Sequence, residues 1–521
     1  MPTSRARWLA LVAALLGWMF DGLEMGLFPL VGQNALYELL PASDRWGEER
    51  AAAEPLGVVG GGAAVAAETM PAKLALDKQV GTWFGVINAG FLIGAATGGV
   101  LFGWLGDRVG RVRAMTLSVL VYAGCSGLCA FAASPEQVAG LRFAGSLGMG
   151  GEWALGVALV MEMWPGASRA WLAGVIGAFG NLGYWLLALI ALGLNRVGGD
   201  VGRWLESLGV GSDTVGYFTR NGNWRLLMAV GALPAVLTLF IRLFVPESEK
   251  WVAEKRSGAA SHWRTTDLLA VLVGAAVGAG VLALWVLPLA LGVRVAGTLA
   301  GVAGITVCYL FPTHRYLTRA NLPAADRKHL LGRMLLAAGL SGVPLLATWG
   351  GVMWVYNLVG TLAPGNADAK PLTQASSAFG AAVGCVFAAL LGDRVGRKWA
   401  YALLCALSAA SLFGFYTLFG VFDGWFVLAA GVVGLITAAF YGWLPLYLPE
   451  LFPTRVRATG QGFGYNFGRI LGSVGSLQTV ALLSAFGGDY AKACAVAAGV
   501  YVVGLVLILF APETKGKTLP E

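Results

Sequence analysis

Charge is scarce in this chain. Of its 521 residues only 12% are Asp, Glu, Lys or Arg, while 57% are hydrophobic. A soluble domain carries about 25% charged residues, so this composition excludes one. Apolar runs of 18 residues or more recur along the sequence and mark a polytopic, all-α membrane protein. Histidine is nearly missing too. All three (His262, His314, His329) fall in the basic middle of the chain, outside the cores of the apolar runs, so any proton carried through the spans has to ride on carboxylates. Six cysteines lie within or at the ends of apolar runs, which suits buried thiols and not a disulfide framework or a metal site. The spans hold no nucleophile–base pair, and no stretch is long enough for a soluble catalytic domain. That argues against an enzyme, a cofactor or a long signalling segment. Much of the net charge of +8 sits in short segments between the runs. There Lys and Arg fix topology, so the charge does not imply nucleic-acid binding.

What is present is a repeat. Leu105-Gly106-Asp107-Arg108-Val109-Gly110-Arg111 returns without change as Leu391-Gly392-Asp393-Arg394-Val395-Gly396-Arg397, 286 residues on. A second pair follows in register, Glu162-Met-Trp-Pro165 with Arg169 against Glu450-Leu-Phe-Pro453 with Arg457. Two halves with the same parts in the same order are the mark of a duplicated membrane transporter.

The spans are expected as follows. Arg5 and Arg7 precede the first, Trp8 to about Val31, which is too long for a signal peptide and has no small-residue cleavage site. A mixed external loop of about fifty residues follows, then spans at about 81–104, 114–133, 137–163, 170–194 and 224–245. An inserted pair (about 267–291 and 295–311) is flanked on both sides by basic segments, so it returns the chain to the side it left. Six more spans follow, at about 334–361, 374–391, 399–418, 425–448, 463–485 and 491–511. The expected organisation is a six-helix bundle (1–245), a central region with the inserted pair (246–333) and a second bundle (334–521). That is about fourteen transmembrane helices with both termini cytoplasmic.

The repeated turn suits a tight helix–loop–helix corner at the membrane surface. Gly106 and Gly110 let the chain turn, and Asp107 can accept from amides at the next helix start. Arg108, Arg111, Glu162 and Arg169, with Asp393, Arg394, Arg397, Glu450 and Arg457 in the second half, are expected to form a latch that steadies one state of an alternating-access cycle. The other reading is a topogenic loop that does not switch.

These motifs, with Pro246-Glu-Ser-Glu-Lys-Trp251 and Pro512-Glu-Thr-Lys-Gly516, resemble the major facilitator superfamily over nearly the whole chain, about 8–515. Arg142-Phe-Ala-Gly-Ser-Leu-Gly148-Met-Gly-Gly-Glu152-Trp most resembles its sialate/lactate proton-symporter branch. Asp21-Gly-Leu-Glu24 is similar to that branch's D-G-x-D, with Glu in place of the second Asp. The resemblance implies two bundles, alternating access, an inserted helix pair as in bacterial sialic acid transporters, and uptake of a small organic anion with protons. The P-E-S and P-E-T-K-G stretches also resemble sugar porters, so a neutral sugar or polyol stays open, as does a transporter-like receptor.

Ionisable residues inside a span cost about 2.5–3.5 kcal/mol on insertion scales and normally mark a function or a partner. Asp21 and Glu24 share a helix face, so their repulsion favours keeping a proton on one of them. Arg142, at a similar depth, is expected to meet Asp21, and Glu152 is either a further proton site or a structural group. Arg469 aligns with Asn181 of the first half. A cation where its mate is an amide is where a substrate carboxylate would be gripped, with Asn466 beside it. The other reading is that Arg469 snorkels to the cytoplasmic surface or pairs with an acidic neighbour. Trp354, Asn357 and Tyr441 are weaker candidates for substrate contact. The partners expected are an organic anion, protons and the lipid bilayer, with the protein acting as a monomer in the inner (plasma) membrane.

Overall fold

The computed structural model describes residues 4–40, 62–164, 169–258, 262–287, 289–473, 482, 485–487 and 489–520, and among them there is no strand. Among the described residues, twelve helices are long and apolar enough to cross a membrane. The first half runs through α1 (Ser4–Leu39), α2 (Gly62–Val109), α3 (Arg111–Cys129), α4 (Pro135–Met163), α5 (Arg169–Ser207), α6 (Ser212–Val230) and α7 (Pro234–Phe244). A short surface helix α8 (Glu249–Arg256) leads to the inserted pair, α9 (Leu268–Val286) and α10 (Leu291–Arg319). The second half comprises α11 (Ala324–Ala347), α12 (Trp354–Leu362), α13 (Ala369–Val395), α14 (Arg397–Leu418), α15 (Gly424–Thr437), α16 (Phe440–Tyr447), α17 (Arg457–Asn466), α18 (Tyr490–Ala498) and α19 (Val500–Leu507). Two of the fourteen expected spans fall short of the length and hydropathy of the others. The sixth is split between α6 and α7, and the thirteenth, expected at about 463–485, runs from α17 into residues outside those described.

Several boundaries differ from expectation: α5 runs on to Ser207, α10 runs on to Arg319, and α11 begins at Ala324. Helix α1 continues eight residues past Val31, and α2 begins at Gly62 instead of about 81. The added stretch of α2, Gly62–Val80, is not apolar enough to read as a span. It is rich in Ala, the strongest helix former, with Leu and Lys among the rest.

Several spans are broken, and each break has a local cause. In α6 the residues Asn221, Gly222 and Asn223 take left-handed φ of 50°, 75° and 58°. Asn and Gly tolerate that region best. The turn is held because Glu38, at the end of α1, accepts from Arg220 Nε, Asn221 Nδ2 and Trp224 Nε1 at 2.7–2.9 Å. Between α11 and α12 lies a π-turn, Thr348–Val352. Its Gly351 carbonyl accepts from Tyr416 Oη at 2.8 Å. Between α15 and α16 the Ala438 carbonyl accepts from Cys385 Sγ. Thr348, Val352 and Ala438 all line the central cavity described below.

The halves meet along two seams. Helix α5 runs antiparallel to α13, from Gly174 against Val386 to Asn195 against Asp368. On the other side α2 crosses α17 so closely that a Cβ on Gly462 would fall 2.1 Å from the Gly99 carbonyl oxygen. Only glycine permits that approach. The inserted pair covers this second seam. It packs mainly on α2, where Tyr309 Oη and Thr97 Oγ1 are 2.6 Å apart, and α10 also touches α11 and α17. Its other side is apolar and exposed, as at Leu269, Leu272, Val273, Leu299 and Val307, as a lipid-facing surface requires.

Candidate functional site

A cavity of about 110 Å³ lies between the halves. Its walls include Trp18, Asp21, Trp153, Asn181 and Tyr184 from the first half. Thr348, Tyr356, Tyr441, Tyr465 and Arg469 line it from the second. Arg469 is 3% exposed, and its Nε and Nη1 are buried without a hydrogen-bond partner. Its Nη2 meets Met25 Sδ at 4.0 Å, its guanidinium sits 5.5 Å from the Tyr465 ring, and the Tyr465 side chain lies within its hydrogen-bonding reach. Tyr465 in turn stacks on Trp153 at 3.8 Å. Trp18 Nε1, Trp153 Nε1 and Tyr184 Oη are likewise buried and unpartnered. A guanidinium cannot shed its charge, and a buried donor left unpaired costs about 1–3 kcal/mol. A lining of unspent donors around a fixed cation is the chemistry of an anion site.

Asp21 and Glu152 face each other within hydrogen-bonding reach, and the charge of Arg469 acts on Asp21. Neither oxygen of Glu152, nor Oδ1 of Asp21, meets a donor among the described residues. Two carboxyls in contact with no donor between them are satisfied by one shared proton. Room for Glu152 comes from Gly17, one turn before Asp21, where a Cβ would lie 1.6 Å from Glu152 Oε1. The sequence held this signal in Gly17 and in the mid-helix Glu152, but nothing in it named the partner.

Three expectations change, and a fourth falls outside the described residues. Arg142 pairs with Glu24, not Asp21, and lies over the rings of Phe91 (4.4 Å) and Phe28 (5.6 Å). Residues three apart differ by about 60° around a helix, enough to send Asp21 to the cavity and Glu24 into the first bundle. Asn466 is fully buried away from the cavity and donates to the Gly150 and Gly462 carbonyls at 2.8 and 3.2 Å. It therefore fastens the α2–α4–α17 crossing. Trp354 lines an outer vestibule, not the central cavity. The side chain of Asn357 lies outside the described residues. Asn181 and Tyr441 do line the cavity, and Tyr441 Oη lies 2.9 Å from Thr348 Oγ1.

The vestibule, about 480 Å³, opens between α1–α2 and α12–α13. It is lined by Gln33, Asn88, Trp349, Trp354, Lys370 and Gln374 among others, and it shares Met353 and Tyr356 with the central cavity.

At the opposite face the first repeated turn binds across the seam. Asp107 Oδ2 accepts from the backbone N–H (2.9 Å) and hydroxyl (2.6 Å) of Thr459. Arg111 donates to Asp107, to the Gly106 carbonyl, to Glu162 and to the Thr454 carbonyl. Arg457 donates to Glu162 at 3.0 Å and to the Pro520 carbonyl at 2.6 Å, and Arg169 donates to the Lys517 carbonyl at 3.0 Å. Arg108 points elsewhere, donating to Thr265 beside the inserted pair. The second turn is tied within its own half. Arg397 donates to Asp393 and Glu450, Asp393 is half exposed, and Arg394 is on the surface.

Two further matched residues come from the P-E-S and P-E-T stretches. Glu247 accepts from the Arg111 and Val112 amides, and Glu513 from those of Arg397 and Lys398. Ser248 and Thr514 donate their hydroxyls to Glu162 and Glu450. Burial pushes the Glu247 carboxyl above its ordinary value. Burial presses Glu513 the same way, but four backbone amides outweigh it and hold that carboxyl below the usual range.

The family model for sugar (and other) transporters matches residues 56–269 and 403–521, more than half of the chain. The chain belongs to this transporter family. The match passes over 270–402, which takes in the inserted pair. Among curated relatives, the niacin transporter NiaP of Acinetobacter baylyi is 23% identical over all of this chain and 97% of its own. The inner membrane metabolite transport protein YgcS of Escherichia coli is 26% identical over 84% of each. Among solved structures, the major facilitator proton:xylose symporter XylE superposes with a TM-score of 0.63 at 18% identity, covering 99% of this chain and 98% of that one. The fold of this family member is thus that of the major facilitators. It is a polytopic membrane transporter, and its family and fold are those of transporters and not of enzymes.

Proposed function

We propose that the protein imports a small organic anion together with protons, by alternating access between the halves 1–245 and 334–521. One observation carries this reading: Arg469, buried with unspent N–H groups, lines the central cavity beside a carboxyl pair that lacks donors. With Asp21 ionised, its charge competes for Arg469. A proton delivered to the Asp21–Glu152 pair removes that competition and frees the guanidinium for a substrate carboxylate, so proton and anion load together. The aromatic lining, with Trp18 and Tyr441 beside the stacked Trp153–Tyr465 pair, suits a flat or ring-bearing solute, in keeping with a niacin transporter among the relatives. A monocarboxylate or an acidic sugar such as sialate fits the same cation. Lys/Arg-rich segments on the turn face favour a cytoplasmic side for it; in this reading the vestibule faces outward and the protein works as a monomer in the inner membrane. The family description favours a second reading, a neutral sugar or polyol symporter, in which Arg469 would be structural.

The deciding experiment is substrate-induced proton uptake in proteoliposomes with nicotinate, lactate, sialate and neutral sugars. External alkalinisation with an acid supports the anion reading, whereas a response to sugars alone replaces it. Asp21→Asn is expected to abolish uphill accumulation while counterflow exchange persists. Intact uphill uptake in D21N would remove Asp21 from the coupling role.

A further inference from the structure

The transport reading uses one cation and leaves another unexplained. Lys370, in the first turn of α13, is half-buried and lines the vestibule with Gln33, Asn88, Trp349 and Gln374. It also borders a second hollow at the vestibule's rim, beside Gly360 and Asn366. No carboxylate or hydrogen-bond acceptor meets its ammonium among the described residues. Asp368, two residues earlier, accepts instead from Asn195 at 3.1 Å. The position is costly in two ways. The positive end of a helix dipole disfavours a cation, and partial burial without a partner strips its water. No ion pair of the fold offsets that cost. On the same wall Trp349 Nε1 is buried without an acceptor, a second unspent donor.

We infer that the vestibule is an outer binding site, where Lys370 captures the carboxylate of the incoming substrate before it passes Met353 and Tyr356 to Arg469. This rests on the anion reading above. The volumes agree with a two-stage path: about 480 Å³ outside holds an anion with part of its water, and about 110 Å³ inside requires it to shed more. The side chains agree as well. An ammonium is a compact, hydrated point charge that holds a carboxylate without a fixed geometry, whereas a guanidinium grips it bidentately. Lysine outside and arginine inside grade the path from loose to oriented binding.

The test is initial-rate uptake of radiolabelled nicotinate, lactate and sialate into right-side-out vesicles holding the full chain, comparing wild type, K370Q and K370R at about 20 and 200 mM salt. Over that range the Debye length shrinks from about 20 Å to about 7 Å. Wild-type KM is expected to rise with salt. K370Q should raise KM about fivefold at low salt, with kcat within about twofold, and lose the salt dependence. K370R should restore both. An unchanged KM in K370Q overturns the outer site, as does a fall in kcat alone, which would make Lys370 part of the conformational step. If wild type carries none of the acids, the anion reading itself fails and the outer site goes with it. Wild-type uptake with an indifferent K370Q would sink only the latter.

Discussion

Arg142 and Glu24 show how a buried charge is kept for structure. The pair is enclosed, stacked on two phenylalanine rings and away from the cavity. Removing one member leaves the other charged and unpaired, which typically costs about 3–5 kcal/mol. R142Q should therefore lower the apparent Tm in detergent sharply, and E24Q/R142Q should recover most of the loss. Additive losses in that cycle would mean the two do not act as a pair. Asp21 and Glu152 are the contrary case, since their charges have no fixed partner to steady them, as a loading site needs. From sequence the list of buried charges was legible, because an ionisable group inside an apolar run stands out. Their pairing was not. A difference of about 60° on α1 decides which carboxylate meets arginine and which meets another carboxylate, and the spacing of Asp21 and Glu24 alone does not orient the helix.

At the scale of elements, hydropathy located the spans and missed their breaks. The breaks at Thr348–Val352 and Ala438 fall inside expected spans and are held by groups distant in sequence, Tyr416 and Cys385, whereas the turn at Asn221–Asn223, held by Glu38, lies before the expected sixth span. No local pattern announces them. The ends of α3 and α14 tell a similar story, because their N-termini are capped by Glu247 and Glu513, more than a hundred residues away. These two caps respond differently to acid. Glu513 is held below its ordinary value, so its contribution is present above the unfolded pKa and lost as pH falls through the folded one. Glu247 is pushed up and takes its proton earlier in the same titration. E513Q should remove the part of the acid-induced fall in apparent Tm that lies below the usual carboxylate range, while E247Q leaves that part in place. An E513Q profile as steep as wild type would show that the amide cradle does not stabilise the fold.

For the whole molecule, duplication was plain from two identical heptads, yet the repeat hid the more important fact. Its first copy fastens one half to the other, and its second copy fastens the second half to itself. Identical sequence does not reveal which copy faces a seam. That depends on Thr454, Thr459 and Arg457; the repeat sets Gly166, Trp171 and Arg169 against them, so no hydroxyl stands in the first half where Thr459 does. D107N should lower kcat by tenfold or more with little change in KM, since a charge-assisted hydrogen bond is worth about 1.5–3 kcal/mol. D393N should alter kcat by less than about threefold. Equal effects of the two would dissolve the distinction between the copies. This uneven stitching has a consequence for flow. Among the described residues the ties between halves on the turn face are buried, whereas those on the vestibule face, Asn195 to Ala367 and Asp368 and Gln374 to the Tyr184 carbonyl, are fewer and more exposed. A gate fastened so unequally is a rectifier: solute gradients of equal size and opposite sign should drive unequal currents, and the larger should enter from the vestibule.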